Sequence, residues 1–355
     1  MSSVRMVREP RYPPVITGIV IGICAYIFGA ILREGPISPD GWARYWVYLY
    51  PFPVWDGRYW TLLTSAFIHQ NVFHMLFNLV LIWALAGRLE QIYGHQATFA
   101  VLFFGAILTD GAQFAASGVT GIGLSGVVFA LFGWMWSTRN QVPDLRRFLT
   151  PGITRLLMGW LVLVVGICQL GAWPTGNASH AAGLLFGLAV GHVFYQDKPA
   201  VRFAGAGTMA TLGVFVVLGL TCAFWSGYWP SWRYMQAHKR NNPVQVSKVE
   251  HDILASDDPV TLNTAAWIMA TSNDAQLRNG RRAVELARRA CELTQWTEPG
   301  YMDTLAAAYA ETEDWKQATE IQQRVQSMVV DKPALKQPEY AMNLDRIARR
   351  EKIRQ

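Results

Sequence analysis

Ser125 lies in the tetrapeptide Gly123-Leu124-Ser125-Gly126 at the head of an apolar run, and His180 lies in Ser179-His180-Ala181-Ala182-Gly183 within a second one. Both residues are ordinary in water and costly in lipid. An ionisable side chain at the bilayer centre costs about 2.5–3.5 kcal/mol on insertion scales, so polar groups there are functional-site candidates by default. A serine and a histidine on separate spans read as a nucleophile and its base. Attack of a hydroxyl on a peptide carbonyl also needs donors for the developing oxyanion, each worth about 10²–10³ in rate. His74, Asn78 and the backbone N–H of Ser125 are the candidates, with Gly123 and Gly126 letting the chain come close on either side of the nucleophile. Asp110 is the one acid in the outer half of a span, and so the one candidate to orient His180.

These residues must be held by membrane-crossing elements. Hydrophobic residues make up 52% of the 355-residue chain and charged ones only 16%, and the charges crowd into the last hundred or so positions. Stretches near the ~20 residues that span a bilayer lie at 14–32, 66–87, 96–117, 124–138, 152–172, 178–196 and 203–229. The expected fold is therefore all-α: a polytopic bundle with a six-helix core (14–200) and a seventh transmembrane helix (201–232). A short segment, 1–13, precedes it, and a linker (233–258) leads to a small α-helical repeat domain (259–355).

Charge gives the orientation. Arg5, Arg8 and Arg11 precede the first span, and positive charge recurs at Arg88, Arg139, Arg146, Arg147, Lys198 and Arg202, whereas 118–123 and 173–177 hold no Lys or Arg. That alternation puts the N-terminus in the cytoplasm of a cell in whose inner membrane the chain sits. Arg33, Arg44 and Arg58 in the first loop, and Arg233, Lys239 and Arg240 after the last span, run against it. Seven crossings from an inside start place the C-terminal domain on the outer side. Spans two, four and six then begin at the outer face, which brings His74, Asn78, Ser125 and His180 to a similar depth.

The string His69-x4-His74-x3-Asn78, then Gly123-x-Ser125-Gly126, then His180-x2-Gly183-x3-Gly187, in that order, resembles the rhomboid intramembrane serine proteases. Trp60-Thr61-Leu62-Leu63-Thr64 and Glu90-x3-Gly94 are similar to further parts of the family pattern, although the family commonly has Arg where Thr61 stands. The resemblance covers about residues 14–196. It implies a Ser/His dyad without a third acid, cleavage of transmembrane protein substrates in or near the lipid bilayer, and neither metal nor cofactor.

Other positions have plainer readings. Small residues in membrane helices usually serve close packing, and Gly183 and Gly187 are read as bringing span six against span four. His69 is read as a structural hydrogen-bonding residue. Phe129, one turn after Ser125, is placed to pack on the His180 ring. Trp42, Trp46, Tyr48, Tyr50, Phe52 and Trp55 put the first loop partly in the outer leaflet, with Pro36, Pro39, Pro51 and Pro53 breaking any single helix there.

In the tail, Thr264–Ala270 and Ala283–Ala290 are followed by Thr304–Ala310 and Trp315–Ile321, two helix pairs about 35–40 residues apart. Their small residues and aromatics resemble tetratricopeptide-like repeats, with an insertion at Ser272–Gly280 and a closing helix near 340–352. The resemblance implies a protein or peptide ligand. No nucleic-acid partner is expected. The contrasting reading of the whole chain is an inactive relative that binds membrane proteins as an adaptor.

Overall fold

The computed structural model describes residues 12–34, 52–169, 176–330 and 338–354. Arg5, Arg8 and Arg11, and the loop residues Pro36, Pro39, Trp42, Trp46, Tyr48, Tyr50 and Pro51, lie outside them. Among the described residues every regular element is helical. The chain divides into two compact units, Met1–Ala223 and Phe224–Gln355.

The first unit is a membrane bundle. Its long helices are α1 (Val15–Glu34), α2 (Val72–Tyr93), α3 (His95–Ser117), α4 (Ser125–Thr138), α5 (Pro151–Gln169), α6 (Asn177–Tyr195) and α7 (Pro199–Cys222). Five of them, α1, α2, α3, α6 and α7, are long and apolar enough to cross a bilayer by length and composition. Their outward faces carry Tyr26, Val80, Phe104, Phe203 and Val217, all exposed and apolar. α4 is the exception in both respects: it has 14 residues, and everything from Gly126 to Met135 is buried. At 1.5 Å per residue it is about 21 Å long against a hydrocarbon core of about 30 Å. A helix that short, walled in on all sides, does not cross the hydrocarbon core by its own length.

Two boundaries differ from the expected spans. The second apolar stretch was expected at 66–87, but Thr61–Thr64 and Ser65–Phe67 form short helical turns and α2 begins only at Val72. Asn71 sets that start: its backbone is extended (φ −155°, ψ 168°) and its side-chain oxygen accepts the His74 N–H at 2.9 Å. The last span was expected at 203–229 and runs instead from Pro199 to Cys222, so the bundle ends at 223 rather than 232. Proline at the first turn permits the earlier start.

At the far end of α2 a buried carboxylate ties the first helix down. Glu90 Oε1 accepts the Ile16 N–H (2.8 Å), and Oε2 accepts both the Thr17 N–H (2.9 Å) and the Thr17 hydroxyl (2.7 Å). Two of the four N–H groups that any helix leaves without intrahelical partners are thereby satisfied for α1. His95 Nδ1 adds a fourth contact at 2.6 Å. Nearby, Tyr93, Trp134 and Tyr195 form an aromatic cluster joining α2, α4 and α6.

The second unit corrects the expected linker at 233–258. That stretch forms most of two helices, α8 (Trp229–Lys239) and α9 (Pro243–Leu254). Its polar composition hides a periodic stripe: Val249 and Ile253 are buried one turn apart, and Tyr234 and Ala237 are buried on α8. Asn242 caps α9 by accepting the Gln245 N–H at 3.1 Å. The pairs α10 (Pro259–Thr271) with α11 (Gly280–Leu293), and α12 (Pro299–Glu311) with α13 (Trp315–Val329), follow, and α14 (Pro338–Ala348) closes the stack. There are thus three pairs rather than two, and the first helix of each packs on the first helix of the next. Proline opens α9, α10, α12 and α14 and occupies the first turn of α8. At the closing helix, Asp303 accepts hydrogen bonds from Gln322 Nε2 (2.6 Å) and Asn343 Nδ2 (3.1 Å). Burial pushes the Asp303 carboxyl up to about 6 against the opposing pull of those donors.

Candidate active site

The site assembles where three helices begin. α2, α4 and α6 each start at the same end of the bundle, so His74 in the first turn of α2, Ser125 at the first residue of α4 and His180 in the first turn of α6 come together. The Ser125 Oγ lies 2.7 Å from His180 Nε2. That is a hydrogen bond of ordinary length for a hydroxyl. With Nε2 receiving the serine proton, the ring's own proton resides on Nδ1, which is buried without a hydrogen-bond partner. The ring is instead steadied by packing: the Phe129 ring is tilted at 50° with its centroid 5.1 Å away.

Asp110 does not orient His180. Its Oδ2 accepts the hydroxyl of Ser65 at 2.6 Å, and it is buried behind Gly121, where a Cβ would stand 2.6 Å from Oδ1. Asp110 therefore fastens α3 to the turn before α2, and the Ser65 carbonyl reaches on to the Gly123 N–H at 3.1 Å. Ser65 is the residue that sequence reading passed over here. Its only signal was a polar side chain in the short apolar segment ahead of α2.

Gly123 has φ +90°, a left-handed conformation that L side chains rarely adopt. A Cβ there would also stand 2.9 Å from His74 Cε1 and 3.0 Å from His74 Nε2, so the absence of a side chain lets His74 lie against the loop that delivers Ser125. Asn78, one turn along α2, is buried and donates through Nδ2 to the His74 carbonyl at 2.9 Å, which leaves its second amide proton uncommitted. Because Ser125 is the first residue of α4, its backbone N–H has no intrahelical acceptor. His69 precedes α2 altogether and meets the His74 ring edge-on at 5.2 Å.

The distance between Ser125 and His180 depends on how closely α4 and α6 approach. A Cβ on Gly126 would be 2.2 Å from Ser179 Oγ, on Gly183 2.1 Å from the Gly126 carbonyl oxygen, and on Gly187 1.8 Å from the Ala130 carbonyl oxygen. Gly191, which sequence reading left out, extends the stripe: a Cβ there would meet Ser137 Oγ at 1.7 Å. From the other side, Gly133 admits the Leu184 carbonyl, 2.5 Å from its Cβ position. The two helices approach backbone to backbone over about two turns of α4, from Gly126 to Trp134.

Residues 56–197 match the Rhomboid domain, a span that contains every residue of this site. The chain is 30% identical over 204 residues to the rhomboid protease GlpG of Yersinia enterocolitica, a region covering 57% of this chain and 69% of that protein. The chain belongs to the rhomboid family. The rhomboid protease GlpG of Yersinia pestis (strain Pestoides F) is 28% identical over the same shares of the two chains. The Rhomboid domain match leaves the helical pairs of the second unit outside, and with its apolar helices this rhomboid is an integral membrane protein.

Proposed function

We propose that this rhomboid is an intramembrane serine endopeptidase that cuts transmembrane or membrane-adjacent segments of other proteins. The 2.7 Å contact between Ser125 Oγ and His180 Nε2 carries the reading. Ser125 Oγ attacks the scissile carbonyl carbon as its proton passes to His180 Nε2, and the carbonyl oxygen becomes the oxyanion. His74, Asn78 and the Ser125 N–H are the groups positioned to donate to it. His180 then returns the proton to the leaving amine, the C–N bond breaks, and the acyl-enzyme remains on Ser125. Water then attacks the acyl carbon while giving a proton to His180, the bond to Ser125 Oγ breaks, and Oγ recovers that proton as the acid product leaves. Among the described residues no carboxylate contacts the His180 ring, and the Phe129 face steadies it.

A fluorophosphonate probe applied to the detergent-solubilised protein tests the nucleophile. Labelling is expected at Ser125 and at no other serine, and is expected to vanish in His180→Ala. Absence of labelling in the wild type, with cleavage present, would point to another nucleophile.

The N-terminus is proposed to lie in the cytoplasm and the second unit on the outer side, the side toward which Ser125 and His180 open. There the stacked helix pairs, in tetratricopeptide-like fashion, hold the soluble part of a substrate and raise its effective concentration at the dyad. Truncation after residue 223 is then expected to leave cleavage of a short generic transmembrane substrate near the wild-type rate while slowing a native partner about 10²-fold or more. Equal rates on the native partner, or a reporter fused at the C-terminus reading cytoplasmic, would remove the recruiting role without touching the chemistry.

A further inference from the structure

The end of the bundle opposite Ser125 holds a cleft of about 440 Å³ between the C-terminus of α4, the short helix Pro143–Phe148 and the first turn of α5. Its walls include Trp136, Leu149 and Pro151, and three arginines line it, Arg139, Arg146 and Arg155. Arg139 lies over the Trp136 ring at 3.4 Å and donates to the Trp136 carbonyl, and Arg155 Nε donates to the Pro151 carbonyl at 3.1 Å. Both side chains are thereby aimed rather than free. None of the three forms an ion pair among the described residues; Asp144, on the short helix, pairs with Arg147 at 3.6 Å instead. Three cations around one cleft, with the positive end of α5 on its rim, repel one another unless an anion joins them.

We propose that this cleft binds the headgroup of an anionic phospholipid. Its volume falls in the range of small-ligand sites, and planar guanidinium groups match phosphate oxygens in pairs. The choice of a lipid over a soluble anion follows from what lies beside it. On α5, directly after Arg155, Leu156, Val162 and Leu163 are exposed and apolar, so the headgroup's acyl chains have a hydrocarbon surface to descend. In the proposed orientation the cleft faces the cytoplasmic leaflet, where anionic lipids concentrate. The grouping of the arginines does not depend on that orientation. A lipid held there would brace the C-terminus of α4, the helix whose other end carries Ser125.

The full chain in detergent, titrated with phosphatidylglycerol or phosphatidylcholine and observed by native mass spectrometry, tests the proposal. Bound phosphatidylglycerol is expected to exceed phosphatidylcholine, and Arg146→Gln/Arg155→Gln to lower it by about fivefold for each guanidinium removed. Arg33→Gln/Arg202→Gln removes equal charge elsewhere on the bundle and should leave binding unchanged. The single Arg146→Gln, at an exposed side chain, is a second test that leaves the fold undisturbed, and it too must lower binding. Equal loss in the control pair, or no preference between the lipids, would overturn the site. Displacement of phosphatidylglycerol by inorganic phosphate would overturn the choice of a lipid as its occupant.

Discussion

Ser125→Ala and His180→Ala are each expected to lower cleavage of a transmembrane substrate by about 10⁴-fold or more, to the background of the assay, with insertion and folding unchanged. Each removes one half of the Ser–His contact at the heads of α4 and α6, and His180 Nδ1 has no hydrogen-bond partner among the described residues that could compensate. The oxyanion donors should behave differently because they share one task. Loss of His74 or Asn78 alone is expected to cost about 10–10³-fold, leaving measurable turnover, and loss of both to cost far more. The measurement is the rate of product formation in proteoliposomes for the five variants at equal protein. Undiminished turnover by either dyad variant would sink the assignment, and wild-type rates for both donor variants would place the oxyanion elsewhere.

Gly187→Val is expected to cost activity nearly as heavily, from two helical turns away. The atoms a Cβ would strike at Gly187 are backbone: the Ala130 carbonyl oxygen at 1.8 Å, the Ala130 carbonyl carbon at 2.7 Å and the Trp134 nitrogen at 2.8 Å. Backbone cannot rotate aside as a flexible side chain can, so α4 and α6 must part. His180 lies seven residues before Gly187 on the same face of α6, and it moves with the helix. A displacement of about 1 Å at a reacting pair is enough for a loss of about 10²-fold. Overpacking should also destabilise the bundle by about 1–3 kcal/mol, seen as a lower unfolding midpoint in detergent. Gly207→Val and Gly213→Val are the controls, since nothing stands within 4 Å of a Cβ at either position. A Gly187→Val protein with wild-type cleavage would show that the close approach of α4 and α6 does not set the Ser125–His180 distance.

Much of this molecule was legible in its sequence for one physical reason: lipid makes polar residues expensive and apolar runs obligatory. Hydropathy marked out the five helices long and apolar enough to cross a bilayer, and the cost of a serine, a histidine and an asparagine among apolar neighbours singled out Ser125, His180 and Asn78 before any contact was known. Where water sets the rules, the signal weakened. Residues 233–258 were read as a linker because their composition is polar, although Val249 and Ile253 repeat at helical spacing and pack into the first helical pair. The N-cap at Asn71 moved the start of α2, a shift that turns on one side-chain oxygen reaching one N–H and leaves hydropathy unaffected.

The tertiary structure alone decided the partners. Asp110 was equally eligible for His180 or for any hydroxyl at its depth, and packing of α3 against the turn before α2 gave it Ser65. Arg139 and Arg146 read in the sequence as inward-facing charge and Arg155 went unread, and only the fold of the connection between α4 and α5 gathers the three around one cleft. The glycines at 183 and 187 announced by their spacing a face for span four, but Gly191 went unread, and how near the helices come depends on carbonyls contributed by α4 some fifty residues earlier. Residue type and period are local properties of the chain. A distance of 2.7 Å between Oγ and Nε2 belongs to two helices packed together, and no local property of either one contains it.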